Sequence, residues 1–199
     1  MYQFVLASES PRRRHLLQNA GFVFTVHPVK VSETPDKNLN IDEQILDIAR
    51  RKARAGFASF RATSSRPFLL LSADTMVVFQ DEALGKPSSP QEAYDFLRRL
   101  SGKTHFVKTA LCLVESVREE MTSQIETSEV IFRTLSDDEI WSYIQTGEPM
   151  DKAGAYAIQG LGSKFVASYH GDFNNIVGLP VSALQKILLA NNWQVETSK

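Results

Sequence analysis

The sequence predicts an α/β protein built on a mixed β-sheet, and three observations carry the prediction. Short apolar runs are interspersed with segments whose apolar residues recur at helical spacing. The run Phe68-Leu69-Leu70-Leu71 is apolar without alternation, the habit of a strand covered on both faces by helices. Thr104 to Leu113 and Gln124 to Arg133 read as two long strands around a polar turn near Glu119. Strands and helices follow one another irregularly, which fits a mixed sheet better than a regular βαβ repeat.

The elements follow in order. Tyr2 to Ala7 is a short apolar run closed by Ser8 and predicts the first strand. A helix starts from Ser10, with Leu16, Leu17 and Ala20 on one face and Gly21 as its stop. Phe22 to Val29 predicts a second strand, with Phe22, Phe24 and Val26 on one side. Val31 to Asn40 is polar, carries Pro35 and reads as loop. Ile41, Ile45, Ile48 and Ala49 then recur at helical spacing, and Arg50, Arg51, Lys52 and Arg54 load that helix towards its end, where positive charge suits the helix dipole. Arg61 to Pro67 is a linker. The strand from Phe68 breaks at Ser72-Ala73-Asp74-Thr75 and resumes from Met76 to Phe79. After Gly85-Lys86-Pro87 a helix begins at Ser89, with Ala93, Phe96, Leu97 and Leu100 on its buried stripe. Ser136 opens another, Glu139 completes its capping box, and Gly147 and Pro149 end it. Lys164 to Tyr169 is strand-like, and Val181 to Leu189 is a closing helix after Pro180.

Composition narrows the function classes. At roughly 100–200 residues per domain, 199 residues make one large domain or two small lobes. With 43% hydrophobic and 23% charged residues the chain is not a disordered one. Its 22 basic against 23 acidic residues leave a charge of −1, so any anion site must be local and nucleic-acid binding through a globally basic surface is excluded. The single cysteine, Cys112, rules out an internal disulfide and a cysteine-rich zinc site, and reads as core packing in an apolar strand. No apolar run approaches the roughly 18 residues of a membrane span, and no secretion signal opens the chain. A soluble, cytoplasmic protein is the expectation.

Two helices start with Ser-Pro, and the sequence thereby supplies its own control. In Ser89-Pro90-Gln91-Glu92 the acid lies in the positive first turn, as the helix dipole favours. In Ser10-Pro11-Arg12-Arg13-Arg14 three cations stand there instead, each costing about 0.3–1 kcal/mol unless an anion compensates. Free N–H groups and guanidiniums directly after a strand form a phosphate cradle; the plainer reading is three solvated arginines. Asp74 follows the buried run Phe68 to Leu71, where open α/β sheets place ligands. It is a metal ligand, a base that activates water, or simply the cap of a turn before Met76. Glu33 and Glu82 are further candidate magnesium ligands, or ordinary surface acids. Lys86 and Lys152 neighbour small residues that let a large ligand approach the backbone, although Gly85-Lys86-Pro87 is also a simple turn.

Other signals point nowhere in particular. Gly160-Leu161-Gly162 is too short for a dinucleotide fingerprint, and the four histidines lack metal-ligand spacing. No nucleophile elbow or Walker loop is present.

Read together, the segments resemble the Maf family of nucleoside triphosphate pyrophosphatases. The matching stretches are Leu6-Ala7-Ser8-Glu9-Ser10-Pro11-Arg12-Arg13, Ser72-Ala73-Asp74-Thr75, Gly85-Lys86-Pro87, residues 98–105, residues 148–160 and Val177-Gly178-Leu179-Pro180. They run in the family's order over nearly the whole chain. Glu9 is a departure, an acid where many members carry a small or neutral residue.

The resemblance implies a single domain over residues 1–199, an elongated mixed sheet flanked by helices in two lobes with a central cleft, similar to inosine triphosphatases. It implies hydrolysis of a nucleoside triphosphate between the α and β phosphates, a divalent metal (Mg2+ or Mn2+), no nucleic-acid partner and a homodimer. Asp74 matches the family's proton acceptor. Arg12, Thr75 and Gln159 match the positions that track substrate, and this set looks like the branch acting on dTTP and UTP. The branch acting on 7-methylguanosine triphosphate carries Trp, Gln and Glu there. A neutral amide offers donor and acceptor to a pyrimidine edge, whereas a carboxylate answers a cationic purine. Ser8, Arg13, Lys52, Lys86 and Lys152 match polar positions implied to bind phosphates, and Glu33 and Glu82 match acids near the metal. The family has also been linked to septum formation and cell division, so the competing expectation is a non-enzymatic regulator.

Overall fold

The computed structural model describes residues 1–198. Seven strands form one mixed sheet in the order β2-β1-β3-β5-β6-β7, with β4 paired to β3. The strands are β1 (Gln3–Leu6), β2 (Thr25–Val26), β3 (Phe68–Phe79), β4 (Glu82–Leu84), β5 (Thr104–Glu115), β6 (Met121–Phe132) and β7 (Val166–His170). The helices are α1 (Pro11–Asn19), α2 (Ile41–Arg61), α3 (Pro90–Leu100), α4 (Asp137–Ile144), α5 (Phe173–Val177) and α6 (Val181–Ala190). Strand β1 runs parallel to both β2 and β3, whereas β3–β4 and β6–β7 are antiparallel, so the expected mixed sheet is present.

The residues divide into two compact units. The first comprises Met1–Asp74, Thr109–Glu126 and Gly178–Lys199, the second Thr75–Lys108 and Thr127–Val177. Strands β3, β5 and β6 thus each contribute residues to both, and Asp74 and Thr75 stand on either side of the division.

In the first unit the parallel strands β1 and β3 are buried except at Gln3 and Asp74, and α2 covers them. A Cβ at Gly56 of α2 would lie 3.0 Å from Ala7 Cβ and from Leu70 Cδ1, so the helix packs directly on these strands. Phe57 and Phe60 meet Phe68 at 5.4 and 5.0 Å. In the second unit Val77, Leu84, Leu97, Val130, Phe132 and Ile140 belong to one apolar core under α3 and α4.

Four expectations are corrected. The strand expected over Phe22 to Val29 shrinks to Thr25–Val26. Phe22 instead packs its ring on Phe4 and bridges Thr197, Val23 donates to the Glu196 carbonyl, and Pro28 has no N–H to extend a ladder. Helix α2 runs from Ile41 to Arg61 and takes in the first residue of the expected linker, so the cations expected towards its end lie well before it. The basic cluster therefore sits mid-helix, held by side-chain partners and not by the helix dipole: Arg50 donates to Ser123 Oγ and Arg51 pairs with Asp47. No turn interrupts β3 at Ser72 to Thr75; the strand passes straight through Asp74, so the turn-cap reading of that residue fails. Strand β4 and helix α5 were not foreseen; β4 returns through Gln80 and Asp81, both at positive φ.

Candidate active site

In the first unit a cluster of charges gathers around Lys52. Three turns into α2, its ammonium lies 2.7 Å from Asp74 Oδ1 on β3 and 2.7 Å from Glu33 Oε1 in the loop before the helix. The Lys52 and Asp74 side chains are only 9% and 13% exposed, so each charge sits in poor solvent and depends on the other. An acid in the middle of an apolar strand is held there because a cation from α2 meets it. Glu33 is the outer member, about half exposed.

Helix α1 contributes the second cation. Ser10 caps it, accepting from the Arg13 N–H at 3.4 Å, with Pro11 at the first helical position. Ser8 Oγ accepts from the Ser10 N–H at 3.2 Å and from the Arg13 guanidinium at 3.3 Å, and Arg13 Nε donates to the Gly178 carbonyl at 2.9 Å. Burial lowers the Arg13 pKa, opposed by the nearby negative charges of Asp74 and Glu33. Arg13 is therefore a positioned cation of the same cluster, while Arg12 is half-buried one residue earlier. The capping also trims the expected cradle, because the Arg13 N–H already has a partner within the helix start.

The second unit carries the other candidates. Thr75 is partly buried on β3, immediately after Asp74. Lys86 is exposed in the turn after β4, and Lys152 pairs with its neighbour Asp151. The Gly154 N–H donates to the Gly85 carbonyl at 3.0 Å, which fastens the two lysine-bearing segments together. Gly154 has φ +66°, and a Cβ there would lie 2.8 Å from Val77 Cγ1, so only glycine fits this approach to β3. Gln159 is exposed in the segment that follows. Glu82, on β4, is mostly exposed and bound to Arg99 at 2.5 Å, with Phe79 under that guanidinium. The Arg99 hydrogen bond, opposed by partial burial, holds the Glu82 carboxyl below its ordinary pKa.

For a divalent metal, the chemistry of the first unit fits in part. Two carboxylates converge on one cationic position, and a hard cation that also binds phosphate needs only one or two. Among the described residues no group of three His, Cys, Asp or Glu side chains forms a ready metal cage. Glu82 is already engaged by Arg99.

Sequence reasoning passed over two contributors. One is the Gly178 carbonyl that orients Arg13. The other is Glu148, whose carboxylate accepts from the Tyr143 hydroxyl at 2.7 Å and from the N–H groups of Leu161 and Gly162 at 3.0 and 3.1 Å. The Gly160-Leu161-Gly162 run, unremarkable as a fingerprint, was the available signal. A Cβ on Gly160 would run into the Glu148 carboxylate. No helix among the described residues is long and apolar enough to cross a membrane.

Known proteins resemble this chain over nearly its whole length. The Bdellovibrio bacteriovorus protein named dTTP/UTP pyrophosphatase is 56% identical over 184 residues, covering 92% of this chain and 96% of its own. A Caldicellulosiruptor bescii protein of the same name is 43% identical, covering 94% of each chain. A Haemophilus ducreyi nucleoside triphosphate pyrophosphatase is 42% identical over 96% of this chain and 95% of its own. Among solved structures the Staphylococcus aureus Ham1 protein aligns over 95% of this chain at a TM-score of 0.46 and 12% identity. The family model for Maf-like protein matches residues 3–191, and with relatives this similar over nearly their whole length the chain belongs to the Maf-like family.

Proposed function

We propose that this protein is a nucleoside triphosphate pyrophosphatase that hydrolyses dTTP and UTP, and modified pyrimidine triphosphates with the same edge, to the monophosphate and pyrophosphate. The observation that carries the reading is Asp74, a nearly buried carboxylate fixed on one oxygen by Lys52. Asp74 Oδ1 accepts from that ammonium, and Oδ2 is the oxygen assigned in this reading to receive the proton. The relatives' names, dTTP/UTP pyrophosphatase, support the substrate class.

In this reading Asp74 removes a proton from water as its oxygen forms a bond to the α-phosphorus. The bond from that phosphorus to the bridging oxygen breaks in line, and pyrophosphate leaves with the electron pair. Arg13, Ser8 and Arg12 receive phosphate oxygens at the start of α1, and Lys86 and Lys152 supply further positive charge. Lys52 keeps Asp74 and Glu33 aligned and neutralises part of their charge before an anion arrives. Thr75 and Gln159 face the base, the Gln159 amide pairing donor and acceptor with a pyrimidine edge. Asp74 and Glu33 are the residues that would hold a magnesium or manganese ion; Glu82 is a weaker candidate because Arg99 already engages it. The chemistry supplied by a bound ion would be withdrawal of charge from the phosphates. A cytoplasmic homodimer with a role in clearing nucleotide pools completes the proposal, and sedimentation checks the dimer.

A panel of nucleoside triphosphates with magnesium, followed by chromatography of monophosphate and pyrophosphate, tests it. The expected result is dTTP and UTP turnover at least about tenfold above purine triphosphates, abolished in Asp74→Asn with the fold unchanged. No turnover of any member by folded protein, or most of the wild-type rate in Asp74→Asn, overturns the reading.

A further inference from the structure

Residues 148–162 form a loop whose two ends are tied by one side chain. Glu148 opens the first 3₁₀ turn after α4, and its carboxylate reaches across 13 and 14 residues of sequence to the N–H groups of Leu161 and Gly162. Compact loops of this length hold their shape through such internal closures. The Tyr143 hydroxyl extends the tie, donating to Glu148 Oε1 and accepting from the Ala157 N–H at 3.3 Å. Tyr143 is fully buried in the core under α4, so the closure is anchored to a rigid element.

The loop carries Lys152 near one end and Gln159 near the other, and the two are secured differently. Lys152 is two residues from Gly154, which the Gly85 carbonyl and the close contact with Val77 hold in place. Gln159 is exposed, and its neighbours on either side, Ala157 and Leu161, are the residues that Tyr143 and Glu148 grip. Gly160 has no room for a side chain because the Glu148 carboxylate occupies that space. Burial of Glu148 opposes its charge, yet the hydrogen bonds from Leu161, Tyr143 and Gly162 outweigh it and hold the carboxyl below its ordinary pKa. The ionised form is therefore the one that makes the closure.

We infer that Glu148 is a positioning residue for substrate selection: its carboxylate fixes the backbone after Gln159 directly and, through the Tyr143 hydroxyl, the backbone before it, and so sets where that amide meets the base. This rests on the reading of Gln159 given above. Glutamine has nearly the shape of glutamate but one acceptor oxygen and two N–H groups. In Glu148→Gln one of the two backbone donors consequently faces a donor, and the segment around Gln159 loosens.

The test compares kcat/KM for dTTP and dATP in wild type, Glu148→Gln, Gln159→Ala and the double variant, with thermal unfolding on each. The expected result is a fall of about tenfold in the dTTP:dATP ratio in either single variant, and no further fall in the double. A merely structural role would lower both substrates by one factor and leave the ratio alone. Tyr143→Phe, which removes only the hydroxyl, gives the same readout should Glu148→Gln not fold. If Gln159→Ala lowers the ratio and neither Glu148→Gln nor Tyr143→Phe does, or if the effects add, this inference is overturned while the Gln159 reading stands. If Gln159→Ala leaves the ratio unchanged, that reading falls and the inference with it.

Discussion

Lys52 Nζ lies 2.7 Å from Asp74 Oδ1, and both side chains are almost wholly withdrawn from solvent. Breaking such a pair from one side leaves an uncompensated buried charge, which costs about 3 kcal/mol or more. Lys52→Met is therefore expected to lower stability by that amount in urea unfolding and to reduce turnover by at least about a hundredfold. A variant as stable and as active as wild type would show that Asp74 does not depend on this ammonium.

Gly154 stands where no side chain fits. A methyl group would enter Val77, and the positive φ adds backbone strain. Gly154→Ala is expected to cost about 2 kcal/mol and to raise KM for every triphosphate alike, because it displaces the segment that carries Lys152. Calorimetry and a KM series over several bases check the two halves separately.

His105 is fully buried, its Nε2 2.8 Å from the Tyr156 hydroxyl and its ring edge-on to Phe132. Burial pushes its pKa down from 6.5 to about 4. Between these values the unfolded chain binds a proton that the folded chain refuses, so the stability from a neutral His105 is complete above about pH 6.5 and is lost as pH falls towards 4. Proton NMR is expected to show one imidazole still neutral at about pH 5, and His105→Asn to flatten the fall in Tm over that window.

Glu139 caps α4 and pairs with Arg133 at 2.5 Å. The Arg133 hydrogen bond, then that of the Ser136 N–H, lowers its pKa from 4.5 to about 2. Its contribution is present above pH 4.5 and disappears as pH falls through about 2. Acid unfolding of Glu139→Gln is expected to be shallower than wild type across that interval, with little difference near pH 1.

Much of the fold could be read from the chain because local signals and tertiary packing agree. Ser10, Ser89 and Ser136 each cap the helix expected of them, and the unbroken run from Phe68 lies in a strand buried everywhere but at Asp74 and Thr75. The failures occur where distant partners override a local signal. Asp74 looked like a strand end because a carboxylate has no place in a buried strand unless another element brings a cation, and Lys52 arrives from 22 residues away. Arg50 to Arg54 looked like a helix end for a similar reason, since local charge cannot reveal the acids and hydroxyls that await it. Glu148 was invisible because its partners are backbone N–H groups, which have no sequence signature. The glycine run near residue 160 recorded only that something comes close.

Gly178, whose carbonyl holds the Arg13 guanidinium, belongs to the same unit as α1 but follows it by 165 residues. Tyr2 and Phe22 likewise bridge Val195 and Thr197. The first unit therefore stays unfinished until residues 178–198 have joined it, although its first strand and helix precede them by most of the sequence. The arginine that would grip a triphosphate is oriented only when these late residues return to it. The orientation of that guanidinium is thus a product of long-range folding, and a chain that has not yet packed Gly178 against helix α1 holds Arg13 without its carbonyl partner.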